Sequence, residues 1–215
     1  MELRLLEDVM GEGSTLHLSG GQMHRICYVV HGEVRAGSQT LQDDQATYLP
    51  GDAAIVAAAA GATIWRFELA PAGAPVATLD QGAGATREKL RQRIKWPVAD
   101  AVLMRADSVS FPPKGCAYLH THQGPGIRCL IDGGIRIDAM GHSSSFGPGA
   151  AWFESGSDPV FAQAASDRPS RFIRVMILPA TLKGKSSISY VNEEDRAKPK
   201  SQTYKGYVDQ LIDLA

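Results

Sequence analysis

Short apolar runs broken by Gly, Pro and Asp recur along this chain, and they recur twice in the same order. In the first half Tyr28-Val29-Val30 leads into His31-Gly32-Glu33-Val34-Arg35, and Tyr48-Leu49-Pro50-Gly51-Asp52 leads into Ala53-Ala54-Ile55. In the second half Cys129-Leu130-Ile131-Asp132 leads into Gly133-Gly134-Ile135-Arg136, and Ser145-Phe146-Gly147-Pro148-Gly149 leads into Ala150-Ala151-Trp152. Each half is predicted to hold an apolar strand, a tight Gly turn, a returning strand, and a Pro-Gly turn into a further strand. Matching glycines lie about 100 residues apart, which signals an internal duplication. Runs this short, with turn residues at this spacing, predict an all-β sandwich or barrel in each half. The alanine-rich run from Ala53 to Ala62 is expected to be a buried strand and turn.

Two stretches break the strand pattern. Thr86-Arg87-Glu88-Lys89-Leu90-Arg91-Gln92-Arg93-Ile94 predicts a short linker helix, capped by Thr86 and ended by Pro97. Near the C-terminus Tyr204, Tyr207, Val208, Leu211 and Ile212 fall on one helical face, as in a helix docked on a barrel or across a dimer interface. The expected organisation is an N-terminal domain over 1–80, a linker over 81–100, a C-terminal domain over 101–182, and an extension with a helix over 183–215.

The 215 residues suffice for a real core, and 44% hydrophobic with 21% charged residues is ordinary for a soluble globular protein. A net charge of -1 with no basic block argues against nucleic acid as a partner. No apolar run approaches the roughly 20 residues of a membrane span, and acids stand where a signal peptide would be apolar. Cys27, Cys116 and Cys129 are odd in number and lack CxxC spacing, so they are expected to be small hydrophobes in a reducing, cytoplasmic setting.

The second half carries two motifs. Gly115-Cys116-Ala117-Tyr118-Leu119-His120-Thr121-His122 is followed by Gly133, and Phe146-Gly147-Pro148-Gly149-Ala150-Ala151-Trp152-Phe153 is a Pro-x-Gly turn into a strand. These resemble the two motifs of the cupins, small antiparallel β-barrels of the jelly-roll type, and the duplication is similar to a bicupin. The resemblance implies two jelly-roll barrels in tandem and a metal site in the second. It also exposes departures. The spacer before the histidines is one residue short, Gly126 stands where the motif has Glu, and Val160 stands where it has a third His. In the first half Ser19 and Gly21 lie near the His positions and His24 near the Glu position, so that half is expected to have lost the site.

Residues two apart on a strand share a face, so His120 and His122 can project together into a barrel. Two imidazoles suit Fe, Mn, Ni, Cu or Zn, but a divalent metal needs at least one ligand more. Glu154, an acid at the end of an apolar strand, is the candidate; otherwise it faces solvent. Arg128 shares the inner face if strand parity holds, and would then need a carboxylate from Glu154 or from a ligand. With the parity broken it would lie on the surface. Tyr118 and Gln123 flank the pair as candidate substrate-binding residues at the pocket mouth. His142 reads as a hairpin turn residue, and Trp152 and Phe161 as core.

Two functions remain open on these residues. One is a metal-dependent enzyme acting on a small carboxylate-bearing molecule, with oxygenase, isomerase and lyase chemistry undistinguished. The other is a non-catalytic bicupin that binds or senses an anion without metal. A small-molecule ligand and a homodimer are expected in either case.

Overall fold

The computed structural model describes residues 1–95 and 101–214. The chain divides into two compact units, Met1–Ala99 and Asp100–Asp213. Both are built almost wholly of antiparallel strands, in three sheets. No helix among the described residues is long and apolar enough to cross a membrane.

The first unit holds β1 (Glu2–Met10), β2 (Thr15–Leu18), β3 (His24–Ala36), β4 (Gln39–Leu41), β5 (Ala46–Pro50), β6 (Ala53–Ala70) and β7 (Gly84–Arg93). They form one sheet in the order β4-β3-β6-β1-β7, with β2 on β6 and β5 on β3. The second unit holds β8 (Ala101–Phe111), β9 (Cys116–His122), β10 (Gly126–Asp132), β11 (Ile135–Ala139), β12 (His142–Phe146), β13 (Ala151–Glu154), β14 (Val160–Ala164), β15 (Ser170–Pro179), β16 (Ile188–Tyr190) and β17 (Thr203–Asp213). Here two sheets form, β13-β10-β15-β8-β17 and β12-β11-β14-β9-β16. Residues of both sheets, among them Val109, Leu130, Ile137, Trp152, Ala162 and Phe172, share one buried cluster, so the sheets close on a common core.

The expected linker helix is instead strand β7, and Pro97 lies outside the described residues. The open edge of β1 explains the difference. Along it Arg87 stands opposite Glu7, and Glu7 takes hydrogen bonds from Arg87 at 2.8 Å and Lys89 at 3.1 Å. Charges that could have paired along a helix pair across strands, and the backbone gains a ladder. The expected C-terminal helix is likewise strand β17, laid on β8 with Asp209 opposite Arg105 and bonded to it at 2.8 Å. The apolar stripe read as a helical dimer face therefore does not form. The α-helix of the extension is the short α1 (Glu193–Ala197). Ala53 to Ala62 is the first part of the long β6 and holds no turn.

The Gly turns inside the two repeats are also not hairpins. Chain β3 runs on through Gly32, and after Gly133 the chain crosses from β10 to β11 in the other sheet. Both glycines have positive φ, 91° and 82°. A side chain at either would collide with a neighbouring carbonyl, of Gly61 and of Pro169 respectively. Glycine is required there because the strand path bends against its neighbour.

The first unit buries a cluster of charged residues. Arg4, Arg25 and Arg66 are fully buried around Glu68 and Asp8. Arg4 Nε donates to Glu68 at 2.6 Å, Arg25 Nε to the same carboxylate at 3.0 Å, and Arg66 Nε to Asp8 at 2.9 Å. Arg4 also donates to the carbonyls of Ala74 and Pro75 and Arg66 to that of Ala77, fastening the segment after β6, while Arg25 donates to the carbonyls of Gly51 and Ser19. Burial pushes the Glu68 carboxyl up, but Arg66, Arg4 and Arg25 outweigh it and hold the group below the usual carboxylate range. Breaking such a network leaves cations buried without compensation. Glu68→Ala is expected to destabilise the first unit by about 3–5 kcal/mol. Urea denaturation followed by tryptophan fluorescence in a Trp96→Phe, Trp152→Phe background, where Trp65 is the reporter, checks this; a loss below about 1 kcal/mol would show that the network does not hold the unit together.

Candidate metal centre

Strand β9 does not alternate evenly. Val160 of β14 faces His120 and Ala162 faces Ala117, so three steps on β9 match two on β14. The extra residue is a bulge at Tyr118 and Leu119, and it resets which side chains point inward. Ala117, His120 and His122 face the core, and Tyr118 is turned away. His120 and His122 are 5% and 6% exposed, with their rings edge-on at 4.9 Å between centroids. His120 Nδ1 donates to the Tyr118 carbonyl at 2.7 Å, which leaves the Nε2 lone pair free.

Glu154 approaches from the next sheet. In the pairing of β10 with β13, Gly126 lies directly opposite Glu154. A Cβ at Gly126 would stand 2.6 Å from the Val175 carbonyl oxygen and 2.9 Å from Arg128 Nη1. No acid can therefore occupy position 126, and the carboxylate comes from the facing strand. Trp152 Nε1 donates to Glu154 Oε1 at 2.9 Å, and Trp152 is itself fixed by stacking on Phe146 at 4.8 Å. Glu154 Oε2 is 4.0 Å from His122 Nε2, and the ligand atoms of His120, His122 and Glu154 all lie within 4.8 Å of one another.

Arg128 is 1% exposed and points into the same cavity. Its Nη1 donates to the Gly126 carbonyl at 2.7 Å. Nη2 lies 2.8 Å from Glu154 Oε2, an ion pair too oblique to be a hydrogen bond, so this N–H has no acceptor among the described residues. The side-chain oxygen of Gln202, which lines the cavity from the far side, is also without a partner. The cavity between them measures about 20 Å³, room for one water or ion.

Arg174, Asp107 and Ser187, none of them among the sequence candidates, complete the surroundings. Arg174 of β15 binds Asp107 of β8 through Nε at 2.6 Å and Nη2 at 3.1 Å, and its Nη1 lies 3.4 Å from His122 Nε2. Ser187 Oγ lies 3.3 Å from His122 Nδ1. A charge inside an apolar strand, as in Phe172-Ile173-Arg174-Val175-Met176 and Met104-Arg105-Ala106-Asp107, is the signal that could have found the Arg174–Asp107 pair. The expected mouth residues are elsewhere. Tyr118 lies under the ammonium groups of Lys198 and Lys200, at 5.1 and 5.2 Å, and Gln123 is exposed. Trp152 is core as expected, whereas Phe161 is half-buried on the other face of β14.

No family model and no curated protein sequence matches this chain. Solved structures do. A serine-to-alanine mutant of Bacillus subtilis oxalate decarboxylase superposes with a TM-score of 0.64 at 12% identity, over 91% of this chain and 73% of that one. The Bacillus subtilis enzyme at pH 4.6 gives 0.61 at 12% identity, over 91% and 72%. An oxalate decarboxylase structure concerned with proton-coupled electron transfer gives 0.66 at 11% identity, over 92% and 73%. The chain has a cupin fold. At this identity the likeness speaks for the fold alone.

Within the cupin fold the donor set suits a divalent metal. Bonds of about 2.0–2.2 Å at tetrahedral or octahedral angles place ligand atoms roughly 3–3.6 Å apart, so donors that lie within 4.8 Å of one another reach one ion by side-chain shifts on the order of 1 Å. The tautomer of His120 is already fixed by Tyr118, and Glu154 by Trp152. Formal charges near the cavity cancel: Glu154 and Asp107 against Arg128 and Arg174. A dication there would leave a positive surplus, which an anionic ligand would neutralise.

Burial holds both imidazoles neutral. Desolvation lowers His122 well below its ordinary value, helped by Arg174 and Arg128. Desolvation also lowers His120, against the opposing pull of Glu154. Burial brings the Arg128 guanidinium down to about 10, although Glu154 favours its charged form. Since the folded pKa values of the two histidines lie below the unfolded one, the unfolded chain binds more protons beneath about pH 6.5. Stability conferred by neutral His120 and His122 is therefore present above that pH and lost as pH falls. In chelator, the melting temperature is expected to drop from pH 7 to pH 5 by roughly 2–4 °C per kcal/mol lost. The drop should be smaller in His122→Gln, and equal slopes in the two proteins would refute this.

Proposed function

We propose that this protein is a bicupin, two barrels in tandem, whose second barrel holds a divalent transition metal on His120, His122 and Glu154. We further propose that it is an enzyme for a small carboxylate-bearing molecule. The observation that carries the reading is the register of Gly126 against Glu154, which restores from β13 the acid missing from β10. The first barrel, which buries a paired network of arginines and acids, serves as structure. The name of the structural neighbours, oxalate decarboxylase, agrees with a carboxylate substrate but does not specify one for this chain.

A bound metal would supply Lewis-acid polarisation of a ligand oxygen. The protein's own residues do the rest. Arg128 Nη2, with its N–H unspent, orients a carboxylate oxygen in the cavity. Gln202 closes the opposite side and offers an amide oxygen to a protonated group. The apolar walls of Val109, Ile137 and Phe172 exclude bulk water, which strengthens each of these contacts.

One observation favours the alternative, a metal-free anion-binding cupin. Arg174 Nη1 sits 3.4 Å from His122 Nε2, where it competes with a metal for the same lone pair. Untagged protein analysed by plasma mass spectrometry separates the two. About one equivalent of a transition metal per chain, lost in His120→Ala and in Glu154→Ala, supports the metal centre on which the enzyme reading rests. Metal-free protein that is stabilised by carboxylates in the presence of chelator supports the anion pocket.

A further inference from the structure

The cavity beside the histidines, about 20 Å³, admits a carboxylate oxygen but not the body of an organic molecule, and it adjoins a second space. A cleft of about 550 Å³ runs between β8 and β17 on one side and residues 184–188 on the other. That volume falls in the usual range of small-molecule sites, about 300–1,000 Å³. Arg174, Ile188 and Tyr204 line both spaces, so a single layer of side chains divides them. Ser187 and Arg174, which contact the two ring nitrogens of His122, are also walls of the cleft.

The cleft is held open by fixed contacts. Arg105 donates to Asp209 at 2.8 Å and to the carbonyls of Lys185 and Leu182 at 2.7 Å. Asp209 in turn accepts the Gly184 N–H at 2.7 Å, tying β17 to the opposite wall. Tyr204 is 52% exposed, and its ring lies 5.6 Å from the Arg174 guanidinium. With Tyr207, Val208 and Ile188 it makes a largely apolar surface. The charges are unequal. Asp107 is engaged by Arg174 and Asp209 by Arg105, whereas Lys185 is exposed and makes no ion pair among the described residues.

We propose that this cleft is a binding compartment for an organic anion with an apolar body the size of an aromatic ring system. Its negative group pairs with Lys185, and its body lies along Tyr204 and Val208. The occupant then stands one side chain from His122, with Arg174 as the partition. The compartment's service to chemistry rests on the proposed function, but binding is measured without metal, so the two readings fail separately.

The probes are 2-naphthoate, its neutral amide and acetate, titrated into full-length protein in chelator by calorimetry and ligand-observed NMR. Naphthoate is expected to bind with Kd below about 1 mM, and the amide at least about tenfold more weakly. Acetate, lacking the apolar body, should not displace it. Gly206 lines the cleft, and a Cβ there meets no heavy atom within 4 Å, so the side chain of Gly206→Leu starts in open space. This variant should keep its melting temperature and metal content and lose naphthoate binding by at least about tenfold, and Lys185→Gln by about fivefold. Absence of naphthoate binding, equal binding of acid and amide, or full binding by folded Gly206→Leu would each overturn the proposal. Naphthoate binding in a protein that never carries metal would leave the cleft standing and remove the metal enzyme.

Discussion

A guanidinium inside β-structure must meet a carboxylate, and among the described residues this protein buries five: Arg4, Arg25, Arg66, Arg128 and Arg174. Much of what distinguishes the two units follows from how that requirement is met. In the first, three arginines share Glu68 and Asp8 and spend their other donors on backbone carbonyls, which leaves a closed and fully satisfied interior. In the second, Arg174 is matched by Asp107, but Arg128 keeps one N–H unspent beside Glu154. A satisfied network holds a fold together, whereas an unsatisfied one marks a place for a ligand.

The same requirement accounts for the unusual origin of the acid. Arg128 bends back onto the Gly126 carbonyl and occupies the space that a side chain at 126 would need. The carboxylate must then come from a neighbour, and the antiparallel pairing puts Glu154 directly opposite. One acid thus faces both the guanidinium and the two imidazoles, and Trp152 prevents it from swinging to solvent. Arg174 sets the limits of the site: it approaches His122, divides the small cavity from the larger cleft, and stays charged because Asp107 offsets its burial.

Much was legible along the chain because it is encoded by period and punctuation. The all-β class, the Pro-Gly turns before β6 and β13, the His120-His122 pair and the inward parity of Arg128 all depend on residues near one another in sequence. So does the choice of Glu154 as the replacement for the missing acid, since it ends an apolar strand beside the motif. The family resemblance read from two short motifs agrees with the cupin fold found by superposition.

What the sequence could not decide were matters of pairing between distant segments. Residues 84–93 and 203–213 have helical spacing, yet each lies on a strand edge about 80–100 residues away, where a ladder of backbone hydrogen bonds outweighs local preference. The β9 bulge that turns Tyr118 away exists only against β14. Arg174 meets His122 only once β15 and β9 lie in facing sheets. The sequence by itself determined which side chains were available to the site and that they would sit on strands. Tertiary structure decided which of them converge, because strand register, unlike strand period, is a property of two segments and cannot be read from one.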